Sequence, residues 1–226
     1  MAPLGTRRIA ARAAGASGIS ATHAGRLLCV SILTPHDRQP APVNQTLPTL
    51  DSARVRLRQL SVADLDDLHA VFSDVRAMRY WSTPAFADIS RTREYLAAID
   101  AGRERGDLLQ WGIEHVAAGR IIGTTTLFHI DREQGRAEIG YILASAYWGQ
   151  GLANEALTRV LQHARDDMQM RRIEADVDPR NDASLRCSVR LGFVREGYAR
   201  ERWVVSGEIQ DAVLLGLLLR DLVIRT

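Results

Sequence analysis

The chain has 226 residues, 46% of them hydrophobic and 25% charged, which is ordinary for a globular protein and enough for one sizeable domain with an appendage. All 29 basic residues are arginine, yet residues 1–50 hold five Arg against one acid, so the remainder is mildly acidic, which argues against nucleic acid as the main partner. The early apolar run LLCVSIL falls well short of the roughly 20 residues of a membrane span, and Cys29 and Cys187 match neither a disulfide framework nor a metal spacing, so a reducing, cytoplasmic setting is expected.

Residues 1–36 carry no acid and are rich in Arg, Ala, Ser and Gly, and the Pro-rich stretch PHDRQPAPVNQTLP follows. Residues 1–50 therefore read as a disordered arm or an over-extended start, with a transit peptide as the alternative, and residues 51–226 as one domain. RVRLRQL at 54–60 suits a half-buried strand. Ser61, three before Asp64, opens a helix with the stripe Leu65, Leu68, Val71 and Phe72. A second helix is expected over about 90–103, with Tyr95, Leu96 and Ile99 on one side. Three strand-like runs follow (110–116, 120–130 and 136–143), and their short turns imply an antiparallel meander.

From Leu152 the apolar positions 152, 156, 157, 160, 161 and 164 keep helical period to about Met168. IEADV at 173–177 reads as a buried strand. DPRND then turns the chain into a helix carrying Leu185 and Val189, which Gly192 stops at its C-terminus. Two final strands, 193–205 and 208–218, meet at Ser206 and Gly207, a two-residue hairpin loop. The predicted order is β, α, α, β, β, β, α, β, α, β, β, a mixed α/β (α+β) class.

Ahead of the third helix stands YWGQGLANEAL, with glycines at 149 and 151. Glycines against a helix start let backbone N–H groups approach an anion, most often a phosphate. A P-loop needs a Lys after its second glycine, and this chain has none. The dinucleotide fingerprint needs a third small residue where Asn154 stands, and parallel context that a meander does not give. A tight connection that binds nothing is the plain alternative. The pyrophosphate of an acyl-CoA meets none of these objections.

This turn resembles motif A of the GNAT N-acetyltransferase superfamily. Together with EIGYIL, DPRNDASLRCSVRLGFVREG and the closing hairpin, it resembles the branch that acetylates ribosomal-protein N-termini. The resemblance implies the GNAT fold over about 51–220: a mostly antiparallel sheet with one splayed strand pair, flanked by helices. It implies acetyl-CoA as co-substrate, direct transfer to a primary amine, and a protein or peptide α-amino acceptor, with a polyamine or aminoglycoside, or a non-catalytic acyl-CoA sensor, as alternatives. It leaves a homodimer open.

By the same resemblance, Trp148, Gly149, Gln150, Gly151, Leu152, Ala153 and Asn154 hold the pyrophosphate. Trp148 replaces the usual Arg or Gln, so contact there falls to backbone. Backbone N–H groups of Tyr141 and Ile142 serve the acyl carbonyl, and Asn181 the pantetheine amide. Glu138 is the implied base, Ser184 the acid and Tyr198 the alternative acid. Each has a plainer reading: Glu138 as a surface carboxylate paired with Arg136, Asn181 as an N-cap, Ser184 as a first-turn hydroxyl, and Tyr198 as a strand aromatic. Cys187 reads as a small core residue, and the six histidines show no metal spacing, so no metal is expected. On the acceptor side, Tyr80, Trp81 and Trp111 would line a slot and Glu94 would meet a cationic amine. Aromatic core packing explains the same rings.

Overall fold

The computed structural model describes residues 47–224. Eight strands form one sheet: β1 (Leu50–Asp51), β2 (Val55–Arg58), β3 (Leu108–His115), β4 (Arg120–Asp131), β5 (Arg136–Leu143), β6 (Arg172–Val177), β7 (Val194–Val205) and β8 (Glu208–Leu218). Their order across the sheet is β1-β2-β3-β4-β5-β6-β8-β7, antiparallel throughout except at β5 and β6. The helices are α1 (Leu65–Phe72), α2 (Ile89–Arg105), α3 (Leu152–Asp166) and α4 (Asp182–Leu191). Helices α1 and α2 cover one face and share a core with Leu60, Leu108, Ile121 and Ile142. Helix α3 and the buried side of α4 cover the other, around Trp111, Ile113, Leu127 and Ile139.

Apart from the added edge strand β1, the predicted element order and the stripes of α1, α2 and α3 are those observed, because apolar periodicity reports directly which face is dry. Gly192 caps α4 with φ 98°, and Ser206 and Gly207 both turn at positive φ, as a two-residue hairpin demands. Three details differ. The fold starts upstream of Asp51: Leu47 and Leu50 are buried in the α3-side core, and the Trp111 indole donates to the Pro48 carbonyl at 2.9 Å. The rest of the expected arm, residues 1–46, lies outside the described residues. In α4 the buried side is Cys187, Ser188 and Leu191, while Val189 is 66% exposed. Two serines on the inward stripe disguised it. Trp111 is fully buried in the core rather than lining a slot.

The feature that makes a site lies between β5 and β6. Their parallel ladder pairs Arg136 with Arg172, Ala137 with Ile173 and Glu138 with Glu174, then ends, although both strands continue. Beyond Glu138 the sheet is split.

Gly123, in β4 opposite Leu143, is required by this arrangement, because a Cβ there would lie 2.2 Å from the Ile142 carbonyl oxygen. Gly123→Ala is expected to cost about 1–3 kcal/mol by overpacking, read as a fall of roughly 2–4 °C in Tm per kcal/mol.

Candidate active site

The split exposes one edge of β5. The Ala144 N–H donates to the Ile122 carbonyl at 2.8 Å, so the even-numbered residues at this end of β5 spend their backbone groups on β4. Alternation then turns the N–H and C=O of Ile139, Tyr141 and Leu143 into the gap. Of the two amides expected to serve the acyl carbonyl, Tyr141's faces the gap and Ile142's faces β4. The Leu143 carbonyl is taken by the Trp148 indole N–H at 2.7 Å.

Trp148 is thus a strut between the strand end and the glycine turn, with the Arg76 guanidinium 5.5 Å over its ring. Gly149 (φ 75°) and Gly151 (φ 79°) bend the chain left-handed, which other residues adopt at a cost. Gly151 is the N-cap of α3, and the first intrahelical bond, from the Glu155 N–H to the Gly151 carbonyl, leaves the amides of residues 152 to 154 without an intrahelical partner. The turn is clamped from outside by Arg54. Its side chain donates to Glu155 Oε2 at 2.8 Å and to the Gln150 carbonyl at 2.8 Å, and its backbone N–H to Glu155 Oε1 at 2.7 Å. Burial raises the Glu155 pKa, but hydrogen bonds from Arg54 and Ser52 outweigh it and hold the carboxyl below its usual range. Sequence reading missed Arg54, since its partner stands 101 residues away.

The turn and the gap open on one cleft of about 1140 Å³, lined by Tyr141, Ile142, Trp148, Gly149, Leu152, Ala153, Asn154 and Asn181 among others. Gln150 is the exception among the expected cofactor contacts. Its carbonyl is on Arg54 and its side chain turns back to the Ala146 carbonyl. The cleft suits a long diphosphate ligand. The Asn154 side-chain nitrogen is buried beside it with no partner among the described residues, and arginines 76, 159, 186 and 190 line it. An acyl-CoA fits the donors this cleft presents.

A smaller cavity, of about 180 Å³, runs into the gap, with Tyr80, Tyr95 and Gln110 on the α1–α2 side and Leu157, Ser184 and Leu191 on the other. Glu138 lines it, half-buried, with Oε1 on His129 Nδ1 at 2.7 Å. Arg136, its expected partner, instead leans on Asp131 and Glu174. His129 reaches Glu138 because β4 slips register between Phe128 and Asp131 and His129 adopts φ 49°. Such a bulge re-aims a side chain, and alternation alone would have hidden it. Tyr80 and Trp81 line this cavity and the cleft, whereas Glu94 is exposed and pairs with Arg91. Asp176, absent from the sequence reading, shares the cavity. Burial, with the charges of Glu138 and Glu174, holds its pKa above the usual range against Arg202.

Ser184 lies where cleft and cavity meet. Asn181 is the N-cap of α4, its side-chain oxygen accepting the Ser184 N–H at 3.1 Å. Capping therefore does not consume the Ser184 hydroxyl. That oxygen accepts from the Tyr141 hydroxyl at 3.1 Å. Burial, then the neighbouring Cys187, pushes the Tyr141 pKa up, while Ser184 pulls it down. Tyr198 is set apart: half-exposed on β7, it donates to Asp211 at 2.6 Å and lines neither space. No group of three or more potential metal ligands occurs among the described residues, and no described helix is long and apolar enough to cross a membrane.

Comparison with known proteins decides what this split sheet belongs to. The model of the acetyltransferase (GNAT) domain matches residues 54–194. The chain belongs to the GNAT acetyltransferase family. It is 32% identical to the uncharacterized N-acetyltransferase p20 of Bacillus licheniformis over 175 residues, 77% of this chain and 98% of that one. It is 30% identical to the [ribosomal protein uS5]-alanine N-acetyltransferase of Escherichia coli over 127 residues, 56% of this chain and 66% of that one. In fold it is similar to the spermidine N-acetyltransferase of Vibrio cholerae solved with CoA and spermine, with a TM-score of 0.66 at 23% identity over 74% of this chain and 97% of that one. This GNAT protein is accordingly an acetyl-CoA-dependent N-acetyltransferase acting on amines.

Removing the outer clamp is expected to loosen the glycine turn without touching the chemistry. Arg54→Met should raise KM for acetyl-CoA several-fold, in line with the roughly 0.5–1.5 kcal/mol net worth of a hydrogen bond, and leave kcat near wild type in steady-state assays.

Proposed function

We propose that this GNAT enzyme acetylates the α-amino group of a protein or peptide, with Glu138 as base and Ser184 as acid. The observation that carries the reading is the parting of β5 from β6 just past Glu138. It places a carboxylate, a wedge-facing backbone amide and a hydroxyl around one opening in the sheet.

An α-amine with a pKa near 8 arrives largely protonated at neutral pH and must lose a proton before it can attack. Glu138 takes it, directly or through one water, while His129 holds the other end of the carboxylate's charge. Acetyl-CoA, when bound, supplies the thioester. The Tyr141 N–H, pre-aimed into the gap, stabilises negative charge developing on the acyl oxygen. Because Tyr141 donates to Ser184, the serine's own proton is available to the departing sulfur. Burial keeps the Tyr141 phenol neutral and able to donate.

What supports a peptide over a polyamine is the state of the acceptor cavity's carboxylates. Asp178 is paired with Arg180 and Asp176 with Arg202, Asp211 is hydrogen-bonded to Tyr198 and the Glu201 N–H, and Glu138 is left to the attacking amine. A polycation needs acids left over to meet its remaining charges. One amine followed by a neutral chain does not. The likeness to the uS5-alanine enzyme points the same way.

Thiol release from acetyl-CoA, followed with Ala- and Ser-initiated peptides and with spermidine, tests the acceptor. Peptides are expected to be the better substrates, and a preference for spermidine would overturn the reading. Glu138→Gln is expected to lower kcat/KM by about 10²–10⁴-fold. The loss should shrink at high pH, where the amine deprotonates unaided. Ser184→Ala and Tyr141→Phe should lower kcat with KM for acetyl-CoA little changed, and wild-type turnover in Ser184→Ala would remove it as the acid.

A further inference from the structure

The acceptor cavity holds polar groups that the protein itself does not answer. Gln110, the third residue of β3, is 2% exposed and lines this space. Its Oε1 accepts from the Tyr95 hydroxyl at 3.1 Å and from the Thr126 hydroxyl at 2.9 Å, which uses both lone-pair directions and leaves the amide nitrogen on the other side. Its Nε2 has no hydrogen-bond partner, and neither has the buried Ser82 hydroxyl on the same cavity. Buried polar groups in folded proteins are nearly always paired, so an unpaired amide lining a binding cavity points to a ligand.

Sheet register relates this amide to the reacting centre. Gln110 is opposite Thr126, and Thr126 is opposite Gly140, so the three share one row on the α1–α2 face. The adjacent row on that face is Leu108, Phe128 and Glu138. Gly140 contributes no side chain. A Cβ at that position would touch only Phe128, at 3.5 Å, so its absence leaves space between Gln110's row and the opening beside Glu138.

We infer that Gln110 reads a carbonyl oxygen carried next to the acceptor's amine, which makes the acceptor an α-aminoacyl compound rather than an alkylamine. The inference rests on the acceptor site proposed above and names the chemistry it selects. An N-terminal residue offers both groups at once, an amine for Glu138 and its own carbonyl oxygen for the Gln110 N–H. A polyamine presents protonated nitrogens, which are donors only. It leaves Nε2 unanswered where the carbonyl would pair with it, a difference of roughly ten- to a hundred-fold in binding. Sites built to hydrogen-bond one substrate group discriminate most strongly against the analogue that lacks it.

The test uses two acceptors differing by one oxygen: trialanine amide and its analogue with the first carbonyl reduced to methylene. With wild-type enzyme and saturating acetyl-CoA, kcat/KM is expected to be at least about ten-fold higher for the peptide. In Gln110→Leu this preference should collapse to near parity. In Gln110→Glu, where a donor becomes an acceptor, it should reverse. Thermal melts confirm that the variants are folded, and the wild-type comparison stands without them. Equal wild-type rates on the two acceptors, or a preference unchanged in folded Gln110→Glu, overturns the inference. If the wild type acetylates peptide and analogue equally well, the peptide reading survives and only the role of Gln110 fails. If it takes spermidine and neither peptide, both fail.

Discussion

Everything in the site depends on a ladder that stops after three residue pairs. Parallel strands normally share hydrogen bonds along their length. Here β5 and β6 diverge after Glu138 and Glu174, leaving the backbone of Ile139, Tyr141 and Leu143 turned to a gap. Unpaired strand edges are costly unless something answers them. The Trp148 indole answers Leu143, and an extended ligand arm can answer Tyr141. Gly123 allows β4 to approach Ile142 closely, and α4 buries Cys187 and Leu191 in the core on the α3 side.

The split also sorts the chemistry. Alternation along β5 sends Glu138 and Gly140 toward α1 and α2, and Ile139 and Tyr141 toward α3 and α4. The Glu138 carboxylate and the hydroxyl pair of Tyr141 and Ser184 therefore approach the opening from opposite faces of one strand. The strand keeps them apart.

Much of this was legible in the sequence where a residue type carries a conformational requirement. Gly149 and Gly151 announce a left-handed turn because little else tolerates that backbone, and the stripe of α3 follows from apolar spacing. Asn181 was legible only as a residue with two uses, and the fold shows the first: its oxygen caps Ser184's amide, so capping does not occupy the serine's hydroxyl. Other parts left no trace. His129 meets Glu138 through a bulge, and Arg54 meets Glu155 across 101 residues. Gln110 looks like one more polar residue at a strand start until its two ends are seen to differ. Tyr198 sat at the right distance along the chain, but Asp211 draws it to the hairpin's surface.

An open sheet is a template onto which foreign strands can add, and this one has two ends to protect. At one end β1 is only two residues long, too short to nucleate pairing. At the other, β7 breaks register twice, between Arg195 and Gly197 and again between Ala199 and Trp203, where Glu201 takes φ 53°. A strand arriving there would find its donors and acceptors out of step every few residues. The hairpin can thus carry exposed Val194, Val204 and Ile209 without becoming a seed for edge-to-edge stacking.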